Sequence, residues 1–270
     1  MTTVTSLEEV KARQQKMWSS GDYGKIAWLT VPLADALCDA VDLRPGAKVL
    51  DVAGGTGHVA LAAARRFCTV VGTDYVPGLL DAARRRAEAE ALPVRFEEAD
   101  AEDLPYPDDD YDYVLSAIGT MFAPDHARTA GELVRVCKPG GAIGTVNWTP
   151  TGFVGEMLKT VSAHVPPPPG VQPPTRWGTE EHHAELFGDR VSRLACTTAA
   201  ITQRFLSSEQ FADFFIENYG PTLKAADALD DADRDAFRGD LIALGERFNR
   251  ADDGSLVCDW EYLVAVATKA

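Results

Sequence analysis

One glycine-rich segment has the residue types and spacing of a nucleotide-binding turn. Asp51-Val-Ala-Gly-Gly-Thr-Gly57 follows an apolar run, Ala47–Ala53, that predicts a buried strand. An alanine-rich helix is predicted directly after it, from about Gly57 to Arg66. Glycines let the backbone turn tightly and approach a ligand, and the start of the helix offers free N–H groups. The segment therefore predicts a ligand site at the end of the first strand.

Acidic residues also follow the next two predicted strands. Asp74 ends the strand Thr69–Asp74, 20 residues after Gly54, where a carboxylate can accept both hydroxyl hydrogens of an adenosine ribose. Asp100 and Ala101 follow the third strand, where a side-chain oxygen and a backbone N–H can bind adenine N6 and N1 together. These positions predict a nucleoside cofactor at the carboxyl ends of the strands.

The glycine spacing alone leaves the cofactor open. Gly55-x-Gly57-x-x-Ala60 also fits a dinucleotide fingerprint, which by itself is a weak signal. Asp51 favours S-adenosylmethionine (SAM), because a carboxylate there can hold an ammonium group, whereas it would repel a pyrophosphate. NAD(P)-dependent oxidoreduction and SAM binding without methyl transfer are the alternatives.

The alternation of elements predicts the architecture. Strands and helices of similar length alternate from Ala47 to Trp148, which is typical of a parallel sheet with right-handed crossovers. The further predicted elements are a helix opened by Pro77, strands Val94–Ala99, Tyr111–Ala117 and Ala142–Trp148, a helix His126–Cys137, a helix Asp230–Arg250 and a closing strand Leu256–Thr268.

The chain between the fifth strand and residue 190 breaks this rhythm. Residues 149–190 contain the proline run Pro166–Pro169 and several candidate short helices. Such an insertion forms either a lid or pocket wall, or a plain surface excursion. We expect one domain over 1–270, with a helical cap at 1–45, a cofactor-binding core at 46–150 and completion of the sheet at 191–270.

Four segments between about residues 45 and 150 resemble, in order, the motifs of class I SAM-dependent methyltransferases. They are Val49-Leu-Asp-Val-Ala-Gly-Gly-Thr-Gly57, Val71-Gly-Thr-Asp74, Ala99-Asp-Ala101 and Cys137-Lys-Pro-Gly-Gly141. The match is closest to the subgroup similar to ubiquinone and menaquinone biosynthesis methyltransferases. The resemblance implies methyl transfer from SAM and a doubly wound, Rossmann-like α/β sheet of seven strands, mostly parallel with a reversed last strand.

The resemblance also implies where the cofactor binds. By motif position, the methionine end contacts Asp51, Gly55, Gly57 and the backbone of Ser116, the ribose contacts Asp74, and the adenine contacts Asp100 and Ala101. The first glycine of the pattern is replaced by Ala53, which leaves a methyl group facing the cofactor.

The N-terminal helix is the expected cover of this site. Ser6 and Glu9 fit a capping box, and Trp18 and Tyr23 flank a break at Gly21-Asp22. In enzymes of the resembled family this helix often covers the cofactor, so the two aromatic residues are candidate lid residues. Amphipathic packing explains Trp18 equally well.

Methyl transfer needs a protein base only if the acceptor must lose a proton early. His126 follows the fourth strand at the active-site edge of such a sheet, which makes it the best candidate base. Its alternative interpretation is an N-terminal residue of a solvated helix. The adjacent His182 and His183 point in different directions on a helix and are not expected to share a metal.

Charge and cysteine content limit the partners. The net charge of −15 repels phosphate backbones and anionic lipids, which favours a small organic acceptor over nucleic acid or a membrane. The cysteines show no zinc spacing, so we expect reduced thiols in a cytoplasmic protein and no metal site. No apolar run reaches the length of a membrane span.

Overall fold

A seven-stranded sheet runs through the structure, a computed structural model that describes residues 7–168 and 170–270. The strands are β1 (Lys48–Asp51), β2 (Thr69–Asp74), β3 (Val94–Glu98), β4 (Tyr111–Ala117), β5 (Cys137–Trp148), β6 (Val191–Phe205) and β7 (Leu256–Lys269). Their order across the sheet is β3-β2-β1-β4-β5-β7-β6. Strands β1 to β5 are parallel, and β7 runs antiparallel to both β5 and β6. The doubly wound sheet with a reversed last strand is therefore confirmed.

Helices connect these strands and flank the sheet. They are α1 (Leu7–Trp18), α2 (Tyr23–Ala27), α3 (Val31–Ala40), α4 (His58–Arg65), α5 (Pro77–Ala89), α6 (His126–Val136), α7 (Phe153–His164), α8 (Glu180–Phe187), α9 (Ser208–Asn218), α10 (Gly220–Ala228) and α11 (Asp231–Phe248). The capping box predicted at Ser6 begins outside the described residues, as does Pro169 of the proline run. Among the described helices, none is long and apolar enough to cross a membrane.

The central strands are buried on both faces. Val49 and Leu50 of β1, and Val114 and Leu115 of β4, have no exposed surface. A strand covered by helices on both sides needs a continuous apolar run rather than alternation, which is why these strands are legible in the sequence. Burial at this depth also fixes the register on which the adjacent loops depend.

Strand β1 lies at the point where the strand order reverses. Its neighbours are β2 on one side and β4 on the other, with Asp51 opposite both Gly72 and Leu115. Connections leave the two sides of this point in opposite directions, so a crevice opens beyond the carboxyl ends of the strands. The glycine-rich turn begins at this crevice.

The 149–190 segment packs against the end of β5. A short 3₁₀ helix, Pro174–Gly178, brings the fully buried Trp177 into the core. Trp148, at the end of β5, is only 3% exposed, so both tryptophans lie in the core. Gly178 lies against the β5 backbone, because a Cβ there would be 2.1 Å from the carbonyl oxygen of Trp148.

Substituting Gly178 tests this docking. We expect Gly178→Ala to lower the free energy of unfolding by about 1–3 kcal/mol, because the added methyl group would overlap backbone atoms. Gly239→Ala is the matched control, since Gly239 lies within α11 with open space around it. The control should raise that free energy by roughly 0.5–1 kcal/mol through lost backbone freedom in the unfolded chain. Urea denaturation measures both values, and a Gly178 variant as stable as wild type would contradict tight docking.

Candidate functional site

The glycine-rich turn connects β1 to α4 through residues with left-handed backbone. Gly57, directly before α4, has φ of 82°. A Cβ on Gly57 would come within 3.0 Å of Ala83 and 3.1 Å of the Phe96 ring. Glycine is therefore required there for both backbone conformation and packing, and the turn aims the start of α4 into the crevice.

Asp51 is a fully buried carboxyl with one oxygen unpaired. Its Oδ2 accepts the backbone N–H of Ala60 at 2.9 Å, while Oδ1 has no hydrogen-bond partner in the described part of the chain. Burial raises the pKa of Asp51 to about 8. A carboxyl at this depth without a counter-ion is costly, and a cation beside it would favour the ionised form.

Asp74 is held in one orientation by two backbone donors. Its Oδ2 accepts the N–H of Gly55 and its Oδ1 the N–H of Val76, both at 2.9 Å. Burial raises its pKa to about 6. The carboxyl therefore lies fixed at the end of β2, directly beside the glycine-rich turn.

Asp100 belongs to a small ion-pair network with α1. Lys11 approaches Asp100 Oδ2 at 2.5 Å and Glu102 Oε2 at 2.6 Å. The other oxygen of Asp100 accepts the backbone N–H of Glu102. Glu102 is buried, so Lys11 supplies the charge that compensates it.

Two adjacent cavities occupy the crevice. The first cavity has a mostly apolar lining: Lys11, Gln14, Trp18, Tyr23, Ala53, Gly55, Asp74, Tyr75, Leu79, Ala99, Asp100, Ala101, Ile118, Gly119, Phe122, Ala123 and Pro124. The second cavity is lined by Tyr23, Ala27, Thr30, Leu33, Ala34, Asp51, Ala53, Gly54, Gly55, Thr56, His58, Val59, Ala117, Ile118 and Gly119. Five residues are common to both: Tyr23, Ala53, Gly55, Ile118 and Gly119.

Most of the residues predicted from the sequence meet at these cavities. Trp18, Asp74, Asp100 and Ala101 line the first, Asp51 lines the second, and Tyr23, Ala53 and Gly55 line both. Gly57 and Ser116 line neither. The Ser116 hydroxyl is buried and accepts the N–H of Thr120 at 3.2 Å.

Sequence reasoning missed Ile118 and Gly119, which lie just beyond β4 and border both cavities. A Cβ on Gly119 would be 2.1 Å from the carbonyl oxygen of Ala53, so the loop after β4 packs directly on the glycine-rich turn. The signal in the sequence was a glycine shortly after a predicted strand, which is too common to single out.

Helix α1 contributes Lys11, Gln14 and Trp18 to the lining of the first cavity. Gln14 Nε2 donates to the carbonyl of Phe122 at 3.1 Å, and Gln15 Nε2 donates to that of Tyr75 at 2.5 Å. The ring of Trp18 contacts the rings of Phe122 and Tyr23 edge-to-face, with centroids 4.9 and 5.6 Å apart. The helix is thus tied to loops on both sides of the crevice.

His126, the candidate base, begins α6 and is buried away from both cavities. Its ring lies 5.8 Å from that of Trp177, and burial lowers its pKa to about 4. The alternative interpretation, a solvated helix start, is wrong because the docked 149–190 segment covers the side chain. The role as a base stays a prediction.

The contacts of His126 define its tautomer. His126 Nδ1 is 2.9 Å from His182 Nε2, and His182 Nδ1 is 3.1 Å from a carboxylate oxygen of Glu185. Because a carboxylate only accepts, His182 carries its hydrogen on Nδ1 and His126 donates from Nδ1. His183 points elsewhere, to the hydroxyl of Thr145 at 2.9 Å. Within 7–168 and 170–270, no group of side chains forms a metal site.

His58 is the other histidine near the crevice, on the wall of the second cavity. Its Nδ1 is 2.9 Å from the guanidinium of Arg86 and 3.2 Å from the hydroxyl of Thr56. Because the guanidinium can only donate, Nδ1 accepts and the ring hydrogen lies on Nε2. Burial lowers the pKa of His58 to about 4, so the ring is neutral at physiological pH.

A known protein family and several relatives match this chain. The family described as a methyltransferase domain matches residues 49–141. The uncharacterized protein Rv1405c of Mycobacterium tuberculosis is 40% identical over 267 residues, which cover 97% of this chain and 96% of the relative. Demethylmenaquinone methyltransferase of Thermus thermophilus is 44% identical over 116 residues, 41% of this chain and 53% of that protein.

Solved structures share the fold at low sequence identity. The YcgJ protein from Bacillus subtilis superposes with a TM-score of 0.61 at 17% identity, over 88% of this chain and 98% of that chain. A geranyl diphosphate methyltransferase in complex with SAM gives a TM-score of 0.54 at 18% identity, over 89% and 85% of the two chains. These structures show the shared fold, while the family match, the sequence relatives and the motif order show that the chain belongs to the class I SAM-dependent methyltransferases.

Proposed function

We propose that this protein transfers the methyl group of SAM to a small organic acceptor by in-line displacement at the sulfonium. The cofactor supplies an activated methyl group, so the protein has to hold the cofactor, orient the acceptor and exclude water. The first cavity would hold the nucleoside of SAM, and the second cavity would hold its amino-acid end.

The unpaired Oδ1 of Asp51 is the observation that carries this proposal. It is a buried acceptor in the second cavity that lacks a cation, and the methionine end of SAM brings an α-ammonium group. The free N–H groups at the start of α4 favour the carboxylate of the same end. A dinucleotide would bring a pyrophosphate to this carboxyl, which disfavours the oxidoreductase alternative.

The first cavity suits the adenosine. Asp74 is oriented at the end of β2 to accept from ribose hydroxyls, and its carboxylate retains lone pairs beyond the two backbone bonds. Asp100 and Ala101 lie on the same wall, beside Leu79, which offers an apolar surface to a purine ring. Helix α1 would then cover the nucleoside, with Trp18 and Tyr23 as its inner face.

The acceptor would approach past Trp18, Tyr23 and Phe122, whose rings suit an apolar or aromatic small molecule. Burial raises the pKa of Tyr23 to about 12, so its phenol stays neutral and acts as a hydrogen-bond donor rather than a base. Because His126 is buried away from both cavities, we propose that it acts as a positioning residue that holds the 149–190 segment, in place of the role as a base.

Calorimetric titration with SAM, S-adenosylhomocysteine and NADH tests the cofactor assignment. We expect wild type to bind the first two and not NADH, and Asp74→Ala to bind SAM about 10- to 150-fold more weakly through lost bonds to a charged acceptor. Asp81→Ala, an exposed carboxylate on α5, is the matched control and should leave affinity unchanged. Formation of S-adenosylhomocysteine with a panel of small acceptors then distinguishes methyl transfer from SAM binding alone.

Proton release on binding tests the role of Asp51. At about pH 6.5 the Asp51 carboxyl, with a pKa of about 8, is largely protonated, and so is the α-amino group of free SAM. An ammonium–carboxylate pair in the complex therefore requires release of about one proton, which calorimetry in buffers of different ionisation enthalpy measures. Asp51→Asn should abolish the release and Asp74→Asn should retain it. Equal release in wild type and Asp51→Asn would reject the pairing.

The acid dependence of stability tests the positioning role of His126. Its pKa of about 4 in the folded protein lies below the usual value near 6.5, so the stability it contributes is lost as pH falls through this window. We expect His126→Asn to reduce the slope of unfolding free energy against pH by up to about 1.4 kcal/mol per unit there. SAM affinity should be unchanged. An unaltered slope, or a large loss of SAM affinity, would contradict this role.

A further inference from the structure

Two residues at the junction of the cavities have strained backbone. In the described chain, six non-glycine residues have left-handed φ values: Asp42, Ala53, Phe67, Ala91, Asp109 and Ile118. Only Ala53, with φ of 52°, and Ile118, with φ of 67°, also line the two cavities, and both border each of them. The backbone strain therefore lies at the junction of the two cavities.

A glycine at either position would avoid this backbone strain. Glycine adopts left-handed φ without penalty, and a β-branched side chain such as that of Ile118 is among the least suited to it. Backbone strain of this kind persists where the surroundings hold it in place, and it clusters at ligand sites. Ala53 and Ile118 therefore keep side chains at positions where glycine would relieve the strain.

Backbone hydrogen bonds hold Ile118 and the residue that precedes Ala53. The N–H of Val52 donates to the carbonyl of Leu115, and the N–H of Ile118 donates to that of Val146, each at 2.8 Å. A Cβ on Gly119 would lie 2.7 Å from the Cβ of Ala53, so the two loops are already in close contact. The junction of the cavities is therefore closely packed on this side, and the side chains of Ala53 and Ile118 belong to its lining.

We propose that Ala53 and Ile118 form a size filter for the alkyl group carried by the cofactor sulfur. This inference rests on the proposed function, in which the nucleoside lies in the first cavity and the amino-acid end in the second. The sulfur joins those two parts, which places it at the junction that Ala53 and Ile118 line. A methyl substituent fits beside them, and a longer one meets their side chains.

The filter predicts which cofactors bind. Wild type should bind SAM at least about tenfold more tightly than its S-allyl homologue, since a clash with extra carbon atoms in a rigid site typically costs 10- to 200-fold. Ala53→Gly removes one wall, and the preference for SAM over the S-allyl homologue should fall by about tenfold or more. Ile118→Gly should change the preference in the same direction.

Ala91→Gly is the matched control. Ala91 has φ of 51°, nearly that of Ala53, but it is exposed and lines neither cavity. Both alanine variants relieve the same backbone strain, so each should raise the Tm by about 2 °C. Only Ala53→Gly should change the preference between the two cofactors, which separates the filter from the effect on stability.

Calorimetric titration of the four proteins with SAM, S-adenosylhomocysteine and the S-allyl homologue decides the outcome. Unchanged preference in both Ala53→Gly and Ile118→Gly overturns the filter, and so does a wild type that binds the S-allyl homologue as tightly as SAM. In either case binding of SAM itself leaves the proposed function standing. A wild type that binds neither SAM nor S-adenosylhomocysteine overturns the proposed function and the filter together.

Discussion

The buried carboxyl of Asp51 is the constraint around which the site is arranged. Asp51 is the last residue of β1. One of its carboxyl oxygens accepts the N–H of Ala60, and the other has no hydrogen-bond partner among the described residues. Gly54 has to be a glycine partly because a Cβ there would come within 2.4 Å of that carboxyl. The glycine-rich turn and the first turn of α4 both contact this group, which also lines the second cavity.

Strain and packing maintain the crevice from its other side. The loop after β4 contacts the turn after β1 closely enough that Gly119 cannot carry a side chain. Helix α1 bridges the opening through glutamine side chains and the ring of Trp18. Rigid loops below and a short helix above are what a site needs if it is to orient a flexible cofactor and still exchange it.

The sequence allowed the central elements to be predicted closely, since Thr69–Asp74 and Tyr111–Ala117 are strands with those bounds. Their burial on both faces leaves an unbroken apolar signal. Strand β6 was not singled out, because an edge strand that is half exposed mixes small and polar residues. The roles of Ile118 and of the cover over His126 depend on loop conformation and on contacts from a distant segment, neither of which is encoded in local sequence.

The position of β7 has a consequence for how the chain reaches its native state. This strand lies between β5 and β6 and pairs with both, although it follows them in the sequence. During synthesis, β5 and β6 therefore expose unpaired edges until residues 256–269 have emerged. Contacts between segments so far apart in sequence form slowly, and open strand edges favour aggregation in the interval. Loss of β7 would leave the sequence of β1–β5 and their loops intact, but β6 would have no strand to pair with in the sheet.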